Sequence, residues 1–240
     1  MAHPVDFRPM DANTEAIVCL AWARMLGLKD DALAGATDRR VEHVVPDSDS
    51  LSLVSLFGRS VLVGPEWALE GAEKYPDEEL AAARTLMQIA RDHRPRLIGA
   101  ATLAFTDTYI KDAALESAVV TDDPAAVERL EKGCPPDDVA EVGLRDLAAK
   151  FVLLGEQDEV VAAAGYQPWQ GILAHVGVLT SLSHRRRGHA RVVSAVTLND
   201  ALDEGMIPLW RARSDNDRAR RLADALGFIE AGTETIVGFG

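Results

Sequence analysis

The chain has 240 residues, of which 48% are hydrophobic and 26% charged, so it carries enough apolar material for a packed core. That length suits one large domain or two smaller ones of roughly 100–130 residues each. The formal net charge of −13 argues against a general nucleic-acid-binding protein, because phosphate contacts need a basic surface. The same charge is compatible with a cationic substrate such as an amine.

The sequence also predicts the compartment. Residues 1–8 lack the apolar core of a signal peptide, and no run approaches the ~20 apolar residues of a membrane span. Cys19 and Cys134 lie far apart, without metal-ligand spacing around them, and are most simply free thiols in a reducing compartment. We therefore expect a soluble cytoplasmic protein that has no metal centre and binds neither membrane nor nucleic acid.

The first region, residues 1–118, mixes helix and strand patterns and contains no chemical motif. Helical spacing over 13–33 meets a stop signal at Gly27 or at the Asp30-Asp31 pair. A polar loop is expected over 36–50, and strands over 51–57 and 60–63 predict a hairpin around Gly58. A helical stretch over 66–93, broken near Pro76, leads to a strand over 97–105 that contains little bulk.

The next stretch, residues 119–136, is the best candidate for a linker. It contains prolines at both ends and a short helix over 125–132. We therefore divide the chain into an N-terminal region (1–118), a linker (119–136) and a C-terminal domain (137–240).

The C-terminal domain shows a regular alternation of elements. A helix is expected over 137–148, strands over 151–154 and 160–166, and a tight turn between them in which Gly155 takes a positive φ. A second turn over 167–171, a strand over 172–180, a helix over 191–204, a strand over 208–212, a helix over 216–226 and a strand over 235–239 follow. This order predicts a mixed α/β fold, with helices packed on a partly antiparallel sheet.

The basic turn at 183–191 follows a strand and opens a helix. Backbone N–H groups at a helix N-terminus point outward without partners, and Gly188 and Ala190 let a ligand approach closely. Such a turn suits a phosphate, although three consecutive arginines are also typical of a solvated charge run.

Two sequence blocks carry a resemblance to a known family. The run Arg185, Arg186, Arg187, Gly188, His189, Ala190 fits the pattern [Q/R]-x-x-G-x-[G/A] directly after a strand. A second block has Asn216, then Ala219, and an apolar helix that ends in Gly227-Phe228. Both blocks, in this order with a strand between them, resemble the GNAT superfamily of N-acetyltransferases, which bind acetyl-CoA.

The resemblance implies a GNAT acyl-CoA N-acyltransferase fold for residues 137–240, and one option for residues 1–118 is a degenerate second copy. It implies that the CoA pyrophosphate lies against the backbone N–H groups from Arg186 through Arg191, aided by the arginine side chains. Pantetheine would pair with the backbones of Val178 and Thr180, as an added strand does. The N–H near Leu179 would stabilise the oxyanion, and Asn216 would lie near the cofactor.

The acid and base are less defined by the resemblance. A Glu that several family members carry on the signature strand is replaced here in that region by His175, which has a suitable unperturbed pKa for a base but is equally a structural strand residue. The family's usual tyrosine acid is replaced by Ala223. Tyr166 is one substitute for this acid. The alternative is that the CoA thiolate leaves without a general acid. Glu141 is a further candidate for the base, because the family's substrate often lies against its helices.

Together these features predict an acetyl-CoA-dependent transfer of an acetyl group to a primary amine of a small molecule, by direct attack in a ternary complex. A peptide or protein amine is an alternative acceptor. A non-catalytic acyl-CoA-binding module is the rival from another class, and a homodimer is one option for the assembly.

Overall fold

The computed structural model describes residues 10–35 and 39–240, and the prediction about residues 1–8 lies outside them. Within the described residues, ten strands form one sheet in the order β1-β3-β2-β10-β4-β9-β8-β7-β6-β5. The strands are β1 (Val41–Val44), β2 (Ser50–Leu56), β3 (Arg59–Gly64), β4 (Arg96–Phe105), β5 (Val119–Thr121), β6 (Ala149–Leu154), β7 (Val160–Trp169), β8 (Leu173–Thr180), β9 (Ile207–Arg213) and β10 (Ile229–Gly238). The mixed α/β class is confirmed.

Helices cover both faces of the sheet. They are α1 (Ala12–Met25), α2 (Glu66–Ala72), α3 (Asp77–Leu80), α4 (Ala83–Ile89), α5 (Ala113–Glu116), α6 (Pro124–Lys132), α7 (Pro136–Val142), α8 (His189–Asp203) and α9 (Asp217–Ala225). Among the described helices, none is both long enough and apolar enough to span a bilayer.

Side chains alternate between the two faces along each strand, and this alternation assigns the helices to their cores. On one face, Trp22 of α1 packs with Leu103 and Leu209, while Leu130 of α6 packs with Leu179. On the opposite face lie two cores, one under α8 and α9 and one under α2 to α4. The first includes Ala174, Val176, Leu198, Trp210 and Ala223. The second includes Leu53, Leu69, Leu86 and Val237. The site described below is lined by residues of α7, α8 and α9.

The sheet joins the two ends of the chain through β4 and β10. β10 pairs antiparallel with β2 on one side and with β4 on the other, and β4 pairs with β9. β4 therefore lies between two strands of the C-terminal region and completes the backbone hydrogen bonding of both. Strands on either side of residues 119–136 belong to this one sheet, and the division into domains stays a prediction.

Most predicted elements appear, with three boundaries that differ. The helix expected over 137–148 ends at Val142, because Gly143 takes a left-handed conformation (φ 58°) and a short 3-10 turn leads into β6. The loop expected over 36–50 contains β1, a four-residue edge strand that pairs parallel with β3. β10 begins at Ile229, six residues before the predicted start of that strand.

The turns around β7 also differ from the prediction. Gly155 has φ −90°, and Gln157 and Asp158 take positive φ in its place. A Cβ at Gly155 would lie 2.8 Å from Val161 Cγ1, so close approach accounts for this glycine. β7 continues through Pro168, which lies beyond the residues paired with β6 and therefore needs no N–H on that side.

We expect Gly232→Ala to destabilise the fold by about 1–3 kcal/mol, the usual range for forced overpacking. A Cβ at Gly232 would lie 1.8 Å from the carbonyl oxygen of Ser55, at a register shift of β10. Urea unfolding measures the change. Gly35→Ala is the matched control, because among the described residues no atom lies within 4 Å of its Cβ position. Equal stability of the two variants would contradict the tight β10–β2 contact.

Candidate functional site

The candidate site is the gap where β8 and β9 separate. The two strands pair in parallel over three residue pairs only, the last being His175 with Leu209. Beyond this pair the strands diverge and leave a groove of about 1120 Å³ between them. The groove runs from β4 and β9, past the end of β8, to the basic turn before α8.

The hydrogen-bonding direction of β8 decides which backbone groups face the groove. The N–H of Ser181 donates to the carbonyl of Val161 (3.2 Å), so this is a hydrogen-bonded pair of the β7–β8 ladder. In an antiparallel ladder every second pair is of this kind, which makes Leu179 and Ala163 the next one. The N–H of Leu179 thus points to β7, and the backbone groups of Val178 and Thr180 point to the groove.

The prediction for Leu179 is therefore wrong. Its N–H is committed to β7, and its side chain is buried with Leu130 of α6. The backbone N–H that faces the groove at this level belongs to Val178. Sequence spacing alone does not reveal this one-residue difference, because it depends on the register of β8 against β7.

The basic turn presents a row of backbone donors. Arg186 (φ 64°) and Gly188 (φ 86°) both take left-handed conformations, which coil the chain before α8. Among the described residues, no backbone or side-chain acceptor is bound by the N–H groups from Arg186 through Ala190. The row ends there, because the Arg191 N–H donates to the Gly188 carbonyl (3.0 Å). Arg191 was predicted to belong to the row and does not.

The arginine side chains of the turn have different roles. Arg185 contacts the Asp138 carboxylate (2.5 Å) and donates to the Thr180 carbonyl (3.3 Å), so it ties the turn to α7 and to β8. Arg191 binds Asp112 (2.6 Å). Arg186 and Arg187 are exposed and form no ion pair with any described residue. Their charge is available to a ligand.

Two histidines lie beneath this turn. His184 is buried, with Nδ1 near the hydroxyls of Ser181 (2.8 Å) and Ser183 (3.0 Å) and Nε2 3.2 Å from Glu159. His189 lies beside it, with ring centroids 5.9 Å apart. Burial, followed by the charges of His184 and Arg187, lowers the pKa of His189. The two rings lie next to the basic turn.

Asn216 lies at the far wall of the groove. Its side-chain oxygen caps α9 by accepting from the Ala219 N–H (3.1 Å). Within the described part of the chain its amide nitrogen has no partner, and the residue lines the groove. Ala223, at the position of the family's usual acid, is buried in the core beneath α8 and α9.

His175 lines the groove at the point where the strands separate. Its ring packs on Trp169, with centroids 4.4 Å apart. Burial, and secondarily the charge of Arg211, lowers the pKa of His175 to about 4. The imidazole is thus neutral near neutral pH, and it is a weaker proton acceptor than its unperturbed pKa suggests.

Tyr166 lies on the opposite face of the sheet. It pairs with Val176, and its hydroxyl donates to the Asp200 carboxylate on α8 (2.8 Å). Burial, and then the bond to Asp200, raises the pKa of Tyr166 far above its usual value. Tyr166 is not among the groove-lining residues. The prediction that it donates a proton at the site is wrong, because the alternation of β7 turns it away.

One ion pair at the groove was not predicted from the sequence. Arg211 on β9 lines the groove, and its Nε donates to the Glu234 carboxylate on β10 (2.6 Å). The only signal for it was an arginine inside an otherwise apolar strand. Its partner, 23 positions later, is brought near by β4, which lies between β9 and β10.

The groove is basic although the chain is acidic. Seven arginines and two acidic residues line it, against a formal net charge of −13 for the chain. The arginines are Arg185, Arg186, Arg191, Arg211, Arg213, Arg218 and Arg221. The overall charge suggested a cationic substrate, but the charge of the groove favours anionic groups on what binds there.

Residues 151–236 match the family model described as GNAT acetyltransferase. Among curated proteins, none matches the chain. A GCN5-related N-acetyltransferase from Sphaerobacter thermophilus has the same fold, with a TM-score of 0.50 and 13% identity over 96% of this chain and 93% of that one.

Two further solved structures align over a smaller share. A GNAT-family acetyltransferase from Novosphingobium aromaticivorans gives a TM-score of 0.46 with 21% identity, over 61% of this chain and 68% of that one. A GNAT-family acetyltransferase from Colwellia psychrerythraea gives 0.44 and 17%, over 64% and 60%. The chain thus spans about two thirds of these two proteins.

The strand that leaves its neighbour, the turn of unpartnered N–H groups and the helix that follows occur together within the matched segment. Over residues 151–236 the chain is similar to the GNAT acetyltransferase family, and its fold is that of a GCN5-related N-acetyltransferase structure.

Proposed function

We propose that the protein is an acetyl-CoA-dependent N-acetyltransferase that acetylates a primary amine of a small molecule. The observation that carries this proposal is the conjunction of two unpaired backbone surfaces in one groove. One is the edge of β8 at Val178 and Thr180, and the other is the row of N–H groups from Arg186 through Ala190. Both suit an elongated ligand that has amides at one end and phosphates at the other.

The residues present fit the CoA moiety of the substrate. The pyrophosphate would accept hydrogen bonds from the N–H row, with Arg186 and Arg187 contributing charge. The pantetheine amides would pair with Val178 and Thr180 in place of the strand partner that β9 does not provide. Arg185 holds this arrangement together, since it joins the end of β8 to α7.

The chemistry would be direct acyl transfer. The nitrogen of a neutral amine attacks the thioester carbonyl, a C–N bond forms, and the C–S bond breaks. The Val178 N–H, which faces the groove, would stabilise the negative charge on the carbonyl oxygen. The amine releases one proton to solvent, and the CoA thiolate takes one up. Ala223 cannot donate that proton, so the thiolate would leave without help from the usual position.

His175 would act mainly as a neutral polar wall. Its ring lines the groove beside Arg211 and packs on Trp169, so it can hold a hydrogen bond to the acceptor or to a water. Its low pKa makes protonation during turnover unfavourable. A base of this kind contributes less than one whose pKa lies near the working pH.

The rival function is a non-catalytic acyl-CoA-binding module, which the alanine at position 223 favours. Thiol release from acetyl-CoA, measured across a panel of small amines and short peptides, separates the two. We expect release with a subset of the small amines. Retained CoA binding without release on any acceptor would support the rival, and release only with peptides would change the acceptor class.

We expect Gly188→Asp to weaken CoA binding by about 10- to 100-fold, because it places a negative charge where the pyrophosphate would lie. Calorimetry measures the affinity. Gly205→Asp is the matched control: Gly205 follows the other end of α8, also has positive φ (74°), and has open space at its Cβ position. Both variants carry similar backbone strain. Equal CoA affinity of the two would remove the turn from the site.

We expect the pH dependence of thiol release to be independent of His175 above about pH 5, where an imidazole of pKa about 4 is already neutral. His175→Gln should then lower the rate by a similar factor across that range, when acetyl-CoA is saturating. An inflection near the unperturbed histidine pKa in the native protein, absent in the variant, would instead identify His175 as the base.

A further inference from the structure

The Arg211–Glu234 pair differs from an ordinary surface ion pair. The Glu234 side chain is 12% exposed and that of Arg211 31%, so both charges are largely removed from water. The Nε of Arg211 donates to Glu234 (2.6 Å), which fixes the plane of the guanidinium. Burying such a pair costs desolvation free energy, which well-packed apolar residues would avoid. Stability alone therefore does not explain why the pair is there.

The outer edge of this guanidinium is unused. In the described part of the chain, neither terminal nitrogen of Arg211 has an acceptor, and the residue faces the groove. Arg213, two positions along the same strand, differs: its Nε and a terminal nitrogen both bind Asp215 (3.0 and 2.8 Å). Arg211 therefore presents a planar pair of donors, held in one orientation, to whatever enters the groove.

Small residues of β4 lie near the terminal nitrogens of Arg211. Gly99 and Ala101 of β4 line this part of the groove, and a Cβ at Gly99 would lie 3.5 Å from a terminal nitrogen of Arg211. The thin strand noted in the sequence thus leaves space directly against the free edge of the guanidinium.

The position of Arg211 relative to the reacting centre is defined by register. Leu209 is the last residue of β9 that pairs with β8, opposite His175. Arg211 follows two residues later, and Gly177 and Val178 follow His175 on β8, so these residues lie on the two sides of the groove just beyond the last pair. Consecutive residues of a strand are about 3.3 Å apart. If Arg211 binds one group of the acceptor, an acceptor atom one or two bonds from that group would therefore reach the thioester carbonyl.

We propose that Arg211 binds a carboxylate of the acceptor, so that the amine acetylated is that of an amino acid or a similar small amino carboxylate. This rests on the proposed acetyltransferase function and names its substrate class. A carboxylate matches the two parallel donors of the guanidinium edge. The excess of arginines along the groove favours such an anion, and the neutral ring of His175 beside Arg211 does not compete for it.

The test compares acceptors that differ only in charge. CoA binding is first measured by calorimetry, and thiol release is then followed for the common amino acids, each beside its own carboxamide. The carboxamide amine is less basic and so more available, which biases the assay against the proposal. We expect kcat/KM to favour one or more acids over their carboxamides by about 10- to 100-fold, the range for a charge-assisted bidentate contact.

Variants then assign the preference to Arg211. Arg211→Gln should reduce it to near unity, mainly through a higher KM for the acid and with little change for the carboxamide. Glu234→Gln should retain it, because the free edge of Arg211 remains. Arg211→Gln alone leaves the Glu234 carboxylate unpaired, which can cause misfolding. The double variant Arg211→Gln with Glu234→Gln removes that carboxylate and so tests the preference without this complication. Arg145→Gln is the control, since Arg145 binds Glu131 through Nε and a terminal nitrogen and does not line the groove.

The outcomes separate the two proposals. Without CoA binding, the proposed function fails and the inference fails with it. If CoA binds and carboxamides are acetylated as well as acids, or no acid is acetylated, the acetyltransferase proposal is judged on the other amines and only the carboxylate assignment is overturned. A loss in Arg211→Gln that is equal for acids and carboxamides assigns the residue a structural role.

Discussion

The site depends on the short pairing between β9 and β8, which lie side by side in the sheet and separate after three residue pairs. The first residues of β9 pair with β8, and from Leu209 onward it pairs with β4, which enters the sheet from the N-terminal region. β4 holds the second half of β9 in the sheet and β7 holds the end of β8, while β8 and β9 diverge from each other. The backbone edge that β8 loses on one side is what a substrate can use.

The charges follow from the same geometry. The groove lies between the diverging strands and the helices α7, α8 and α9, and arginines reach it from β9, α8, α9 and the basic turn. The acidic residues that dominate the composition lie elsewhere, or neutralise particular arginines as Asp138 and Asp215 do. Net charge therefore describes the surface as a whole, and it misleads about a cavity that a few residues line.

Local patterns were predictable from the sequence, whereas the exact register of paired strands and the pairing of distant strands were not. The basic turn and the helix after it are encoded within a few consecutive residues, so their position could be predicted. The choice between Val178 and Leu179 depends on the register of β8 with β7, and a shift of one residue exchanges the two roles. Tyr166 faces α8 for the same reason. The partnership of Arg211 with Glu234 required β4 between their strands, which no local pattern indicates.

The place of β10 has a consequence for how the molecule is made. This strand is synthesised after all the other described strands, yet it lies between β2 and β4, which are among the earliest. Until it arrives, β2 and β4 each present an open edge, and the contacts that join them span most of the chain. Such long-range closure is slow, and the waiting edges are exposed to wrong partners. The centre of the sheet can therefore form only after β10 has been synthesised.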